Sequence, residues 1–419
     1  MYFHLDLDAF FVSAERSINP KLNGKPIAIG GRSDPYIFSK KRLNRDIIFQ
    51  NSGAFVSAVF IDKNEKNLPE YFKDDGRIRG IVTTSSYEAR AYGIKTGMSI
   101  AEAKKRCKDL IVIKPNHIIY HKLSKQLREY MYINIPTIEQ FSIDEFFGDL
   151  SGWIADDKIY EFLVNLRDDI QKKFHLPCSI GIANSKWISK LATEYAKPFG
   201  VKKINNTNEF IKEIPINKFP GIGKAMQNKL HKYKKFTLGD IQDSKTLLYS
   251  WGNTGKSIYN RVCGVDNEVV EEKAKRKSVG ISRTFDPISD REEIKRRLYI
   301  LCRHVIFMVS KLDLTPSTIS FCVTYKYSKK QKQQSFNRLF SEQFLTDTVL
   351  ETFNILDGTS NNDIIKLSVS LSNFIKKEKF IPSVINIEKD IKLQSLTRGN
   401  YELRKKYGID ILRNAKELL

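Results

Sequence analysis

Cysteine is scarce in this chain, and its spacing argues against two kinds of stabilised small fold. The five cysteines lie at positions 107, 178, 263, 302 and 322, so the closest pair is 20 residues apart. A zinc cage is not expected, because such sites need closely spaced thiolates or imidazoles. A disulfide framework is not expected either, which favours a reducing compartment.

Long apolar runs are also missing. The longest, near residues 54–61, is far shorter than the roughly 20 residues that a membrane-spanning helix requires. The first residues are apolar, but they include Asp6 and Asp8 and carry no basic leader, so we do not expect a secretory signal. We predict a cytoplasmic protein with no membrane partner.

Acidic residues are few relative to basic ones. The chain has 48 Asp and Glu against 70 Lys and Arg, a net charge of +22. Residues 273–338 alone hold 16 basic and 5 acidic residues, a net of 16 − 5 = +11. This excess favours a polyanionic partner such as nucleic acid, although a lysine-rich proteome would also produce it. The run at 273–277 indicates a basic tether, whereas 295–297 could be an ordinary solvated helix face.

What is present suffices for several folded domains. Hydrophobic residues make up 41% of the 419 residues, which excludes wholesale disorder, and the length favours about two to four domains. Over residues 1–200 the pattern alternates between strands and helices. It predicts strands at 2–11, 138–149 and 178–183, and helices at 85–92, 100–106, 120–132, 159–174 and 185–196.

The second half changes character. Residues 206–265 read as helical, and 278–371 predicts a β-α-β-β-α-β order. Its strands are expected at 278–284, 317–327, 335–340 and 364–371, and its helices at 291–312 and 346–356. The tail after Pro382 is polar, and we expect it to be mobile apart from a helix at 400–417.

Two acidic pairs lie in apolar surroundings, where an unpaired carboxylate is costly. One is Asp6 with Asp8 on the first strand, and the other is Asp144 with Glu145 beside a bend. Oxygen-rich clusters of this kind suit Mg²⁺, and two such ions can activate a hydroxyl and stabilise a leaving pyrophosphate. The alternative is that each pair caps a helix or binds a nearby lysine.

Eight short motifs occur in an order that is typical of one enzyme family. They are HLDLDAFF (4–11), GKP (24–26), YEAR (87–90), SIDE (142–145), GIANSK (181–186), KLA (190–192), AKP (196–198) and PGIG (220–223). This order resembles that of the Y-family DNA polymerases, in particular the polymerase IV type that copies past damaged template. The resemblance covers about residues 1–34 and 79–380.

The resemblance implies an α+β multidomain fold shaped like a right hand. By position the palm is residues 1–10 and 116–197, and the fingers are 11–115. A helical thumb with a helix-hairpin-helix occupies 198–270, and a basic linker occupies 271–277. The β-α-β-β-α-β little finger is 278–380, and a C-terminal tail follows at 381–419.

The resemblance also implies the catalytic residues. Asp6, Asp144 and Glu145 would hold two Mg²⁺ ions, with the backbone carbonyl of Leu7 as a further ligand, and Glu145 would lie nearest the primer hydroxyl. Asp8 is not a ligand in the family, so we read it as structural. Phe11 matches the steric gate against ribonucleotides, although its position alone would suggest a core side chain. The other expected nucleotide contacts are Phe10, Thr84, Tyr87, Arg90 and Lys190, whereas Lys186 is expected on a solvated face.

The expected DNA contacts lie further along the chain. Gly221, Gly223 and Lys224 fit the loop of a helix-hairpin-helix, with a helix expected at 224–232, although a plain glycine turn would also explain them. Basic residues of the linker and little finger add Lys275, Arg276, Lys277 and Arg283. His117 and His121 are spaced as a metal pair but lack a third ligand, so a helix surface is favoured. Residues 393–396 are a degenerate match to a sliding-clamp peptide.

The chain departs from the family at one place. Residues 35–78 form a 44-residue insertion in the predicted fingers, part basic and part aromatic and acidic. It could contact template, extend the fingers or bind a partner.

The resulting prediction is a Mg²⁺-dependent, low-fidelity translesion DNA polymerase without proofreading. Its partners would be primer–template DNA and deoxynucleoside triphosphates, with a sliding clamp as a further candidate, and the chain would be a monomer. An accessory-dependent mutagenic polymerase subunit and a catalytically dead DNA-binding relative are the alternatives.

Overall fold

A computed structural model describes residues 1–32, 36–40, 45–48, 59–62, 71–74, 77–272, 276–358, 362–376 and 381–418. These residues form two compact units. The N-terminal unit consists of 1–31 and 77–272, and the C-terminal unit consists of the described residues of 32–74 and 276–418. No helix within these ranges is both long and apolar enough to cross a bilayer.

The elements are numbered in chain order. The strands are β1 Tyr2–Leu7, β2 Ile27–Gly31, β3 Arg45–Ile48, β4 Val59–Asp62, β5 Lys73–Asp74, β6 Arg77–Ile78, β7 Ile81–Ser85, β8 Ile111–Ile113, β9 Ile138–Gln140, β10 Glu145–Asp149, β11 Cys178–Ala183, β12 Val201–Lys203, β13 Ser278–Ile288, β14 Thr318–Tyr325, β15 Lys329–Ser335 and β16 Ile364–Ser372. The α-helices are α1 Phe10–Ile18, α2 Tyr87–Ala91, α3 Ile100–Arg106, α4 His117–Asn134, α5 Ile159–Phe174, α6 Lys186–Glu194, α7 Thr207–Ile211, α8 Lys224–Lys232, α9 Leu238–Gln242, α10 Lys245–Ser250, α11 Gly252–Cys263, α12 Arg291–Lys311, α13 Glu342–Asp357 and α14 Ile387–Tyr407.

The N-terminal unit is built on a five-stranded sheet in the order β12-β11-β1-β10-β9. β1 lies at its centre and pairs antiparallel with both β10 and β11. Phe3, Leu5 and Leu7 point to one face and pack into the core with α4 and α5. Because side chains alternate along a strand, His4 and Asp6 occupy the opposite face.

The first strand is shorter than predicted. It ends at Leu7 rather than at residue 11, because Ala9 adopts a left-handed conformation with φ 46° and α1 begins at Phe10. The Ser13 hydroxyl donates to the Asp8 carbonyl at 2.6 Å and helps to fix this turn. The apolar run from Phe10 to Val12 is therefore the first turn of a helix and not the end of a strand.

Helix α6 packs unusually close to the sheet, and Gly181 on β11 allows it. A Cβ at position 181 would overlap the Ser189 carbonyl oxygen and the Thr193 backbone of α6. Ser185 caps the helix by accepting from the Ile188 N–H. The close approach explains why glycine begins the GIANSK motif, and it brings the side chains of α6 over the polar face of β1.

The helical region predicted over 206–265 is present. Helices α7 to α11 pack around a core that includes Ile211, Leu230, Leu248 and Val262. α8 begins at Lys224 directly after Gly223, as predicted.

The C-terminal unit has the predicted β-α-β-β-α-β order, with a sheet in the order β13-β16-β14-β15. Helices α12 and α13 cover one face of this sheet, and side chains such as Phe321 and Leu367 fill the core between them. One strand was misplaced by the prediction. β15 covers Lys329–Ser335 and not 335–340, because this edge strand is polar throughout and gives no alternating signal.

The C-terminal tail also differs from the prediction. α14 begins at Ile387, well before residue 400, and the tail packs on the C-terminal unit. Asp390, Asp410 and Glu417 are buried there, and each forms an ion pair with an arginine of that unit. Polar sequence thus misled the prediction, because ion pairs rather than an apolar stripe hold the tail in place.

Candidate active site

The predicted carboxylates meet at one end of β1. Asp6 and Glu145 are direct cross-strand partners in the β1–β10 pair. The Leu7 N–H donates to the Asp144 carbonyl at 3.1 Å, which holds the bend before β10 against the end of β1. Asp6 and Asp144, which are 138 positions apart in the sequence, are thereby brought together.

Burial disfavours the ionised form of Asp6 and Asp144. Burial and then the negative charges of Asp144 and Glu145 raise the pKa of Asp6 well above its usual range, although Lys197 acts in the opposite direction. Burial also raises the pKa of Asp144, and the negative charge of Glu145 raises it further. The Ser142 hydroxyl, which donates a 2.5 Å hydrogen bond to the Asp144 carboxylate, acts in the opposite direction. Nearby positive charge would relieve this repulsion.

Two lysines supply positive charge here. Lys190 of α6 binds Glu145, and Lys197 lies 3.2 Å from Asp6 and 2.7 Å from Glu194. Although burial opposes its charged form, the Asp6 and Glu194 carboxylates raise the pKa of Lys197. Within the described ranges, no three carboxylate, imidazole or thiolate groups gather closely enough to hold a metal ion. The contacts of Lys190 with Glu145 and of Lys197 with Asp6 are of the kind that the sequence analysis gave as the alternative, a carboxylate that binds a nearby lysine.

His4 lies beneath these groups and was not singled out by the sequence. It is fully buried, its Nδ1 lies 2.9 Å from the Thr193 hydroxyl, and its Nε2 lies 3.3 Å from Lys190 Nζ. Burial, and then the charge of Lys190, lowers the pKa of His4 well below its usual value. A neutral ring can accept from Lys190 and hold this ammonium against Glu145.

Asp8 is structural, as predicted. Its buried carboxylate accepts from the Ser179 hydroxyl at 3.0 Å, the Phe199 N–H at 2.8 Å and the Tyr87 hydroxyl at 3.1 Å. Burial, and then the Asp8 charge, raises the pKa of Tyr87 to about 12. Asp8 therefore fastens the start of α2 to the end of β1.

Phe11 is partly exposed and held by an aromatic group that the sequence analysis missed. Its ring stacks on Tyr120 with centroids 4.4 Å apart, and the His117 ring lies nearly perpendicular to it with centroids 6.1 Å apart. The Tyr120 hydroxyl donates to the buried Glu15 carboxylate at 2.7 Å. This scaffold fixes the position of the Phe11 ring.

The same helix corrects the reading of the two histidines. His121 is buried, and burial lowers the pKa of His117 to about 4. Neither lies on an open helix surface, because His121 is buried and the His117 ring packs against Phe11 of α1.

The remaining nucleotide candidates divide into two groups. Thr84 is the penultimate residue of β7, and Tyr87 and Arg90 lie in the short helix α2, with the Arg90 guanidinium 4.7 Å from the Tyr87 ring centre. Phe10, in contrast, is buried in the sheet core, so only its backbone is available to a nucleotide.

Lys186 was predicted on a solvated face, and this is wrong. Its Nζ lies 2.6 Å from Glu139, and both side chains are less than a tenth exposed. Glu139 also accepts from the Glu271 N–H at 2.8 Å. The pair ties α6 to β9 and to the chain that leads to the basic linker, which the helical periodicity could not indicate.

The DNA candidates belong to other elements of the chain. Gly221 has φ 96°, and Gly223 precedes α8 with open space where a side chain would stand, so backbone N–H groups of the loop can be approached closely. Lys224 begins α8. Arg276 and Lys277 precede β13, which contains Arg283, whereas Lys275 lies outside the described residues.

Comparison with known proteins identifies the class of fold. A Y-family DNA polymerase chimera of Dbh and Dpo4 matches with a TM-score of 0.68 and 21% identity, covering 89% of this chain and 99% of the chimera. An insertion ternary complex of Dbh DNA polymerase matches with a TM-score of 0.55 at the same identity and coverage. The architecture is thus the right hand of palm, fingers, thumb and little finger.

The sequence comparisons are more specific. Three models match: the impB/mucB/samB family over residues 5–194, the IMS family HHH motif over 205–234 and the impB/mucB/samB C-terminal domain over 276–381. DNA polymerase IV of Staphylococcus aureus is 28% identical over 409 residues, covering 95% of this chain and 94% of the relative. DNA polymerase IV of Staphylococcus epidermidis is 29% identical over 339 residues, covering 79% and 83%. The chain belongs to the impB/mucB/samB family, a family of Y-family DNA-directed DNA polymerases.

Proposed function

We propose that this chain performs translesion synthesis, adding deoxynucleotides to a primer 3′-hydroxyl by Mg²⁺-dependent phosphoryl transfer and without proofreading. The observation that carries the proposal is the pairing of Asp6 with Glu145 across β1 and β10, with Asp144 fixed beside them. The relatives named DNA polymerase IV support the same assignment.

The donor set fits a pair of hard divalent ions in kind. Asp6, Asp144 and Glu145 offer carboxylate oxygens, and the Leu7 carbonyl is a further candidate. Burial, and then the neighbouring carboxylates, raises the pKa values of Asp6 and Asp144, so a bound cation would offset the cost of keeping both ionised. Two bound Mg²⁺ ions would lower the pKa of the attacking hydroxyl and neutralise charge on the phosphates. In that state the lysines would leave the carboxylates.

The two lysines have a second task in this proposal. Lys190 and Lys197 are positioned by His4 and Glu194, and their ammonium groups are free to turn towards an anionic ligand once Glu145 and Asp6 are otherwise engaged. An ammonium binds phosphate oxygens as a point charge. We assign Lys190 to the triphosphate, together with the Tyr87 hydroxyl and the Arg90 guanidinium.

Phe11 is assigned as the gate against ribonucleotides. Its ring is locked by the stack on Tyr120, and Tyr120 is anchored by Glu15. A fixed ring beneath the sugar leaves no space for a 2′-hydroxyl, whereas a mobile ring would move aside. Phe10 would contribute its backbone only.

DNA would be held through its backbone. We propose that the loop at Gly221 and Gly223 donates backbone N–H groups to a phosphate. On the little finger, the sheet face opposite α12 and α13 carries small hydroxyl side chains such as Ser320, Thr324, Ser368 and Ser370, which can approach and donate to phosphates. Arg276, Lys277 and Arg283 add charge, and Lys275 is expected to do the same.

The remaining assignments concern the sliding clamp, the oligomeric state and the compartment. Residues 393–396, the degenerate clamp peptide, lie inside α14, so an extended clamp-binding strand would require that helix to open. We propose a monomer in the cytoplasm, where the five free cysteines would stay reduced.

Primer extension by the purified chain tests the proposal. With Mg²⁺, a primer–template and all four deoxynucleotides, the wild type should extend both an undamaged template and one that carries an abasic site. Asp144→Asn should lose activity by about a thousandfold or more, since the metal contribution is worth several kcal/mol. Lys172→Ala on the exposed side of α5 is the matched control and should extend normally.

Three outcomes would count against the proposal. Absence of extension by the wild type would favour the catalytically dead relative. Extension only after addition of a cell extract would favour the accessory-dependent subunit. Shortening of a mismatched primer in the absence of nucleotides would show a proofreading activity.

A further inference from the structure

The first part of the insertion packs on the C-terminal unit. Ile37 is 4% exposed and belongs to the same core cluster as α12 and the little-finger sheet. The Phe38 ring lies edge-on to Phe285 with centroids 5.9 Å apart. The Arg297 guanidinium lies 4.4 Å from the Phe38 ring centre and 4.5 Å from that of Phe285, so it covers both rings.

Polar contacts fix the same stretch, and they come from two parts of the C-terminal unit. Arg296 of α12 donates to the Phe38 carbonyl at 2.9 Å and to the Glu417 carbonyl at 3.2 Å. Arg413 of the C-terminal tail donates to the Lys40 carbonyl at 2.9 Å. Helix α12 and the tail therefore build one groove for the segment 36–40, which we name the docking segment.

The docking segment is joined to the N-terminal unit by a short stretch of chain. Strand β2 ends at Gly31 in the N-terminal unit, where it pairs with β7. Only six peptide steps separate Gly31 from Ile37, and a fully extended chain of that length spans at most about 20 Å. Apart from the docking segment, the covalent route to the little finger is the basic linker at 271–277.

We propose that the docking segment is an intramolecular tether that binds the fingers to the little finger independently of the linker. While the segment occupies its groove, the end of β2 cannot move more than about 20 Å from Ile37. The little finger is then held at two covalent points. Release of the segment leaves the linker alone to restrain it.

Distance measurement between spin labels in the full-length chain tests the tether. Nitroxides would be attached to cysteines introduced at Lys104 of α3 and Glu351 of α13, both exposed, in a background with Cys263→Ser and Cys322→Ser. We expect a narrow distance distribution in this parent. Ile37→Asp, which places a charge in the groove, should at least double the width of the distribution.

Ile133→Asp is the matched control, because it makes the same substitution at a side chain of α4 that is 83% exposed and lies outside the docking segment. Its distribution should match that of the parent. An unchanged width in Ile37→Asp, or equal broadening in Ile133→Asp, would overturn the proposal.

A second pair of variants protects the test against misfolding of Ile37→Asp. One variant carries a specific protease site in place of residues 33–35, and the other carries the same site at 50–56. Cleavage at 33–35 should broaden the distribution, because the docking segment then connects to the fingers only through the rest of the insertion. Cleavage at 50–56 should leave it narrow. Equal behaviour of the two cleaved proteins would contradict a tether.

Discussion

The buried ion pair between Arg303 and Glu417 is expected to make the C-terminal tail part of the folded little finger. Glu417→Ala tests this by removing the carboxylate that pairs with Arg303. Arg303 is 2% exposed, with its Nε 2.9 Å from one Glu417 oxygen and its Nη1 2.8 Å from Asp410 and 2.7 Å from the Ile409 carbonyl. The Glu417 side chain is itself 1% exposed. All these acceptors lie more than 100 residues along the chain.

The expected cost follows from burial. Removal of one partner of a buried ion pair costs about 3–5 kcal/mol, because the other charge stays uncompensated. Asp410 remains beside Arg303, so we take the lower end, about 3 kcal/mol. For a domain of this size, one kcal/mol lowers the melting temperature by roughly 4 °C, which predicts a fall of about 12 °C.

Differential scanning calorimetry of the full chain measures this fall in the transition of the C-terminal unit. Lys416→Ala, at the exposed neighbouring position, is the control and should change the melting temperature by no more than about 2 °C. A fall in Glu417→Ala no larger than that of the control would refute a structural role for the tail.

Three further predictions concern the site. Phe11→Ala should raise ribonucleotide incorporation at least about tenfold in single-nucleotide insertion, since the stacked gate is lost; an unchanged ratio of ribonucleotide to deoxynucleotide would exclude the gate. Asp8→Ala should raise the KM for nucleotide more than it lowers kcat, because Tyr87 loses its acceptor, and a pure kcat effect would argue against this positioning role. Gly181→Ala should cost about 1–3 kcal/mol in chemical denaturation and slow extension, because α6 and its Lys190 must shift; full stability and activity would show that the close approach is unnecessary.

Local pattern predicted much of the fold, because several elements are governed by their own residues. The apolar spacing of α5 gave its bounds, Ile159–Phe174, without error, and the glycines before Lys224 gave the start of α8. β1 was overextended, because Phe10 and Phe11 are apolar in a strand and in a helix alike. The turn at Ala9 depends on a backbone conformation that composition does not indicate.

Long-range ion pairs explain the remaining failures. Helical periodicity predicted that Lys186 is solvated, but it is buried in an ion pair with Glu139, which is 47 residues away. The tail was predicted to be mobile because its acidic residues looked exposed in the sequence. In the structure these acids are buried and form ion pairs with arginines more than 50 residues away. At the site, the family resemblance implied that Asp6 and Asp144 meet, but only the register of β1 against β10 and the contact of Lys190 from α6 define which charges they face.

Anomalous diffraction from crystals of the chain with primer–template DNA, an incoming nucleotide and Mn²⁺ tests the central claim most directly. The account predicts two Mn²⁺ peaks roughly 3.5–4 Å apart, bound by Asp6, Asp144 and Glu145, with Lys190 turned from Glu145 towards phosphate. Glu145 still paired with Lys190 and no anomalous peak at Asp6 or Asp144 in a complex with bound nucleotide would contradict it.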